Sequence, residues 1–165
     1  GIATMFRPLL AGLLLLALAG CATPEKRPFQ SPRSGPTAEV SFRNATPGRT
    51  EVAIFEDAAE CTGRRFLPDL LIGEQQTVRV PAGKPLAFGI RYIVPNTTPQ
   101  RYCEVLASFE VEPNGRYEVI IRSGSDRPCT AHVRQLVGTA TDMRTLLRAP
   151  VKSRNEDGPF CFPIQ

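Results

Sequence analysis

Five cysteines, a single histidine and a cluster of carboxylates are the side chains of this 165-residue chain that could do chemistry. The histidine, His132, sits in "CTAHVRQ", where alternation turns it away from the apolar positions and toward Thr130 and Arg134. One imidazole is too few ligands for a metal site. Catalytic use would need a nucleophile and an orienting acid beside it, and the chain has no G-x-S-x-G elbow and no phosphate-cradling glycine loop. His132 therefore reads as a surface residue. Glu56, Asp57 and Glu60 precede Cys61, and Arg64 and Arg65 follow it. A carboxylate pair can do acid–base work, but acids and bases crowded between two strands read as a solvated turn with local ion pairs. The sequence is thus read as a non-enzyme with no catalytic residue, metal or cofactor.

The cysteines carry more. Cys61, Cys103, Cys129 and Cys161 are widely separated, without the close C-x-x-C pairs that a zinc site uses. An even number of them in an exported domain reads as two disulfides. Cys21 is different: it ends the apolar run "GLLLLALAGC", after which the chain turns to "ATPEKRPFQSPRSGPT". Residues 8–20 carry no charge, and as a helix they span roughly 20 Å at ~1.5 Å per residue. That is short of the ~30 Å hydrocarbon core of a bilayer but suits an export signal after the one-arginine start Met5-Phe6-Arg7.

Leu18-Ala19-Gly20-Cys21 resembles the lipobox of bacterial lipoprotein signal peptides. That resemblance implies removal of residues 1–20, with translation starting at Met5. It also implies a covalent diacylglycerol and an acyl chain on Cys21, the first residue of the mature chain. Several acyl chains, at ~0.8 kcal/mol per buried methylene, make a durable anchor in a lipid bilayer. Ala22 is not aspartate, which resembles the sorting signal of outer-membrane lipoproteins that face the periplasm.

From residue 21 to 37, prolines at 24, 28, 32 and 36 alternate with small residues. Such a segment reads as an extended, semi-rigid spacer, able to hold a domain up to roughly 50 Å from the membrane at ~3 Å per residue. The formal charge is +4, and the basic residues are interleaved with acids, as in "FEVEPNGRYEVIIRS". A nucleic-acid binder would cluster them, so no nucleic-acid partner is expected.

Residues 38–137 alternate with period two, the mark of strands that bury one face. "AEVSFRN" offers Val40 and Phe42, and "TEVAIFED" offers Val52 and Ile54. "TVRVPAGKPLAFGIRY" reads as a hairpin, with Val78 and Val80 leading in and Leu86, Phe88, Ile90 and Tyr92 returning. "RYCEVLASFEVEPNGRYEVIIRS" reads as a second. It places Cys103, Val105, Ala107, Phe109 and Val111 inward, turns at Asn114-Gly115, and brings Tyr117, Val119 and Ile121 back. A last strand carries Cys129, Ala131 and Val133. The expected fold is an all-β antiparallel sandwich of about seven strands. A short helix is expected at 141–148, "TDMRTLLR", inside a C-terminal extension, 138–165, pinned by Cys161. "PNGRYEV" resembles the Pro-Gly-x-Tyr-x-Val turns of transthyretin-like and immunoglobulin-like sandwiches, a likeness of fold that implies no function.

A meander of strands 101–111, 116–122 and 127–135 would offset residues 103 and 129 by roughly 17 Å along one sheet, against the ~7 Å that a disulfide tolerates. Cys103 with Cys129 is therefore disfavoured. Cys61 with Cys103 and Cys129 with Cys161 is preferred; Cys61 with Cys129 and Cys103 with Cys161 stays open.

Two loops are open to a partner, "EDAAECTGRRFLPDLLIGEQQ" and "VPNTTPQ". The first carries Arg64, Arg65, Phe66 and Leu67 as a candidate binding loop, followed by Leu70, Leu71 and Ile72. The alternative to a binding loop is that these residues cap the core or form an extra strand. Two functional readings follow. One is a membrane-anchored sandwich that binds a protein or cell-envelope component. The other is an inhibitor of a lysozyme or protease, with "ECTGRRFLP" protruding into the enzyme's cleft.

Overall fold

Wherever the sequence alternates, the backbone is a strand. The computed structural model describes residues 25–123 and 129–137, together with the backbone of 144–148, 152–155 and 162–163. The seven expected strands are present as β1 (Thr37–Ala45), β2 (Thr50–Asp57), β4 (Gln75–Pro81), β5 (Lys84–Ile93), β6 (Tyr102–Val111), β7 (Arg116–Arg122) and β8 (Thr130–Val137). Four more join them: β3 (Thr62–Phe66), β9 (Arg144–Arg148), β10 (Lys152–Asn155) and β11 (Phe162–Pro163).

One sheet runs β4-β1-β7-β8-β9 and the other β11-β10-β6-β5-β2-β3. Their facing sides make a single core, in which Val40, Phe42, Val80, Val119 and Ile121 of the first meet Val52, Ile54, Phe88, Ile90 and Phe109 of the second. Phe42 packs edge-on against Phe88 at 5.7 Å across the sheets, and Phe109 meets Tyr117 at 5.3 Å. Full burial of each such side chain contributes about 1.5–3 kcal/mol.

Four expectations need correction. First, the sandwich is mixed, because β1 and β7 pair in parallel from Glu39 opposite Arg116 to Ala45 opposite Arg122. Immunoglobulin constant domains keep their first two strands in one sheet; here β1 and β2 lie in different sheets.

Second, neither hairpin is a hairpin. β4 pairs with β1 while β5 pairs with β2 and β6, and β6 pairs with β5 while β7 pairs with β1 and β8. Both turns are arches that carry the chain from one sheet to the other. Alternation looks the same in either case, because both arms of an arch also turn their apolar residues into the core. The 112–115 arch is locked by Tyr117, whose buried hydroxyl accepts a hydrogen bond from the Glu112 amide at 2.9 Å, the arrangement of a tyrosine corner. Asn114 adopts the expected positive φ of 60°. Gly115 is needed for space, since a Cβ there would stand 2.6 Å from the Tyr117 ring.

Third, Cys103 and Cys129 are bonded to each other, with Cα atoms 5.9 Å apart. The expected offset assumed one continuous ladder. With β6 and β8 in opposite sheets, the two residues instead face each other through the sandwich. Both expected pairings therefore fall. Cys61 is itself disulfide-bonded, and Cys161 lies outside the described residues. Closing the 26-residue loop contributes about 3 kcal/mol in the chain-entropy account.

Fourth, the helix expected at 141–148 is not one. Arg144–Arg148 form β9 on the edge of the five-stranded sheet, paired with β8, and 141–143 lie outside the described residues. Tertiary pairing at a free sheet edge overrides the local helical preference there.

The ends of β1 and β2 are joined around a buried polar group. Asn44 is fully buried, and its side-chain amide donates to the carbonyls of Gly48, Leu70 and Leu71 at 2.8, 3.0 and 3.1 Å. Its Oδ1 accepts from the Thr46 amide and hydroxyl. Gly48 fits because a Cβ there would stand 2.4 Å from the Ile93 carbonyl oxygen. Asn44 and Thr46 thus form a buried structural knot at the end of β1.

Candidate functional site

The proline-rich stretch before β1 is not a free spacer over its whole length. The Phe66 amide donates to the Arg27 carbonyl and the Phe29 amide to the Phe66 carbonyl, both at 2.8 Å. Residues 27–29 thus lie along the outer edge of β3. Pro28 has no N–H to offer, so it suits the position opposite Phe66 at a sheet edge. Phe29, the one aromatic residue in the segment, packs half-buried against the core. Lys26 pairs with Glu51 at 2.9 Å and lies 5.1 Å over the Phe66 ring. The chain then crosses the open side of the sandwich to reach β1, where the Pro36 carbonyl accepts from the Ala82 amide. Residues 27–36 form a strap.

Beneath the strap is a cavity of ≈ 520 Å³, within the range of small-molecule sites. Its floor is Ile54 of β2 and Leu86 of β5, both buried. Phe29, Pro28 and Pro32 of the strap and Pro81 and Pro85 of the β4–β5 arch complete an apolar wall. At the mouth stand Arg27, Arg65 and Lys84, with Glu56 as the only carboxylate among the lining residues. Arg65 holds Glu56 with two guanidinium nitrogens on one oxygen, at 2.7 and 2.8 Å. Arg27 and Lys84 make no ion pair among the described residues. Gly63, at φ +70°, leaves room for this pair, since a Cβ there would stand 2.4 Å from Glu56 Oε2. The lining has no serine, threonine, cysteine or histidine.

β3 divides the four candidate loop residues by its own alternation. Arg65 turns to the cavity. Arg64 turns to the outer face, 5.3 Å over the Phe55 ring, beside Phe66 in a shallow groove with Arg91 and Glu104. Leu67 enters the core. "ECTGRRFLP" is therefore an edge strand and a core plug, not the protruding loop that the inhibitor reading needs. Farther on, Leu70 is buried, while Leu71 and Ile72 are 56% and 68% exposed at a turn pinned by Asn44.

The other chemical candidates stand apart from the cavity. Asp57 spends its Oδ1 on the amides of Ala59 and Glu60, and with the Glu56–Arg65 pair this makes the segment a capped turn with local ion pairs, as its composition indicated. His132 is exposed on β8, 3.4 Å from the Thr130 hydroxyl. Arg91 donates a hydrogen bond to the Glu104 carboxylate at 2.7 Å, which raises the Arg91 pKa above its already high value. Among the described residues no group of histidine, cysteine and carboxylate side chains could hold a metal ion. Nor is any described helix long and apolar enough to cross a membrane. Cys21 and the leader before it lie outside the described residues.

Sequence reasoning missed the strap and with it Arg27, Phe29 and Lys84. The one available signal was Phe29, an aromatic residue stranded in a proline-rich stretch. No family model matches the chain, and no curated protein matches it.

Proposed function

We propose that this chain is a lipid-anchored envelope protein that works by binding, and that the cavity beneath the strap is where it binds. The observation that carries the binding reading is the cavity itself, with its apolar floor and cationic mouth. The anchor rests on the lipobox-like Leu18-Ala19-Gly20-Cys21, with a diacylglycerol and an acyl chain on Cys21 and the outer membrane, facing the periplasm, as the destination. Of the two sandwich likenesses carried by "PNGRYEV", we favour the transthyretin-like one, since β1 and β2 do not share a sheet.

With the strap docked from Arg27 onward, only residues 22–26 link Cys21 to the folded domain. At no more than ~3.6 Å per residue, that leash reaches roughly 20 Å, so the domain works close to the lipid surface. Growth with labelled palmitate tests the anchor. The wild-type protein should carry the label and sediment with membranes, and Cys21→Ser should do neither. An unlabelled wild-type protein, or a variant that fractionates identically, would overturn the anchor.

A further inference from the structure

We infer that the cavity beneath the strap takes a small amphipathic anion, a carboxylate borne on an aliphatic chain. This rests on the reading of that cavity as the binding site and does not depend on the anchor. Two features set the ligand class. The floor is hydrocarbon, with Ile54 and Leu86 beneath and Phe29 under the strap, and Gln30 is the one uncharged polar side chain among the lining residues, so a polar body would lose more hydration there than one amide replaces. The mouth carries three cations against one carboxylate, and that carboxylate is already held by Arg65. Arg27 from the strap and Lys84 from the start of β5 therefore approach the opening from two sides with charge to spare. A carboxylate placed between them gains charge-assisted hydrogen bonds. An ammonium would face three cations with only Glu56, already bound by Arg65, to attract it.

The geometry also separates this site from the rest of the surface. The outer groove of the same sheet is about 80 Å³; of its cations, Lys26 and Arg91 are paired with Glu51 and Glu104, and Arg64 lies over the Phe55 ring. Of the two, the strapped cavity is the one that combines apolar volume with cations left without an ion pair among the described residues.

The test is a titration of octanoate, octan-1-ol and octylammonium into the full-length protein in lipid nanodiscs, followed by 13C-methyl NMR of Ile54 and Leu86. Octanoate should shift both methyl signals saturably and bind about tenfold more tightly than the alcohol, with octylammonium weakest. Replacing Arg27 and Lys84 together by glutamine should remove that tenfold preference while leaving octan-1-ol binding and the remaining methyl spectrum unchanged. Equal binding of the three probes, or a double variant that binds octanoate as well as wild type, would overturn the ligand class while leaving the cavity as a binding site. Absence of any shift at Ile54 and Leu86 with all three would overturn the cavity itself.

Discussion

The strap over β3 and the turn around Asn44 both fasten irregular chain to the sandwich, and they do so by opposite means. At the turn, one fully buried amide serves three carbonyls and receives two donors from Thr46. The strap relies on three backbone hydrogen bonds, two at β3 and one from Ala82 to Pro36, and on one half-buried phenylalanine, with an ion pair at its start. Buried polar groups are costly to strand, so the turn can open only with the fold as a whole. The strap has few buried contacts and belongs to the low-stability end of the molecule, where binding elements are drawn from. The cavity lies beneath the element that is cheaper to lift.

The contrast can be broken first at its strong end. Asn44→Ala removes all five side-chain hydrogen bonds of the turn and leaves the buried Thr46 amide without its acceptor, which should cost about 3 kcal/mol, read as a lower denaturation midpoint with an unchanged slope. A loss under about 1 kcal/mol would show that the turn is held no better than the strap. Gly63→Ala sits between the extremes. The added methyl would stand 2.4 Å from Glu56 Oε2, which can swing away, and 2.8 Å from Glu56 Cβ, which cannot, on a left-handed backbone. A loss of about 1–2 kcal/mol is expected, together with disruption of the Glu56–Arg65 pair, visible in the Arg65 side-chain NMR signals. The smallest effect belongs to Phe29→Ala, expected to lower global stability by less than about 1 kcal/mol. It should nonetheless raise hydrogen exchange at the Phe29 and Phe66 amides while β2 and β5 keep their protection. Faster exchange throughout β2 would mean that the strap is part of the cooperative fold.

What the sequence revealed and what it concealed follow one rule. Period two reports which side of a strand is buried, so β1, β2 and β4–β8 were legible, and His132 was correctly turned outward. Period two is silent on which strand is the neighbour. That is why "PAGK" and "EPNGR" read as hairpin turns when they are arches, and why Cys103 and Cys129 looked too far apart. β3 escaped because "TGRRF" has no apolar alternation: its apolar cover comes from Phe29 on one side and Phe55 under Arg64 on the other. Proline content was a sound guide to an extended backbone in the strap but could not say that a sheet edge was waiting for it. Of the binding-loop residues, only Arg65 belongs to the cavity, because a strand sends its neighbours to opposite faces.

β6 is fastened to the opposite sheet at both ends, by Cys103–Cys129 at one and by the Tyr117-locked arch at the other. The β4–β5 arch ties the sheets again beside the cavity, with Pro81, Lys84 and Pro85 in its wall, and the Asn44 turn ties them a third time. A sandwich tacked together at so many corners cannot gape. Entry to the cavity is therefore left to the strap, whose lifting disturbs neither the disulfide nor the tyrosine corner.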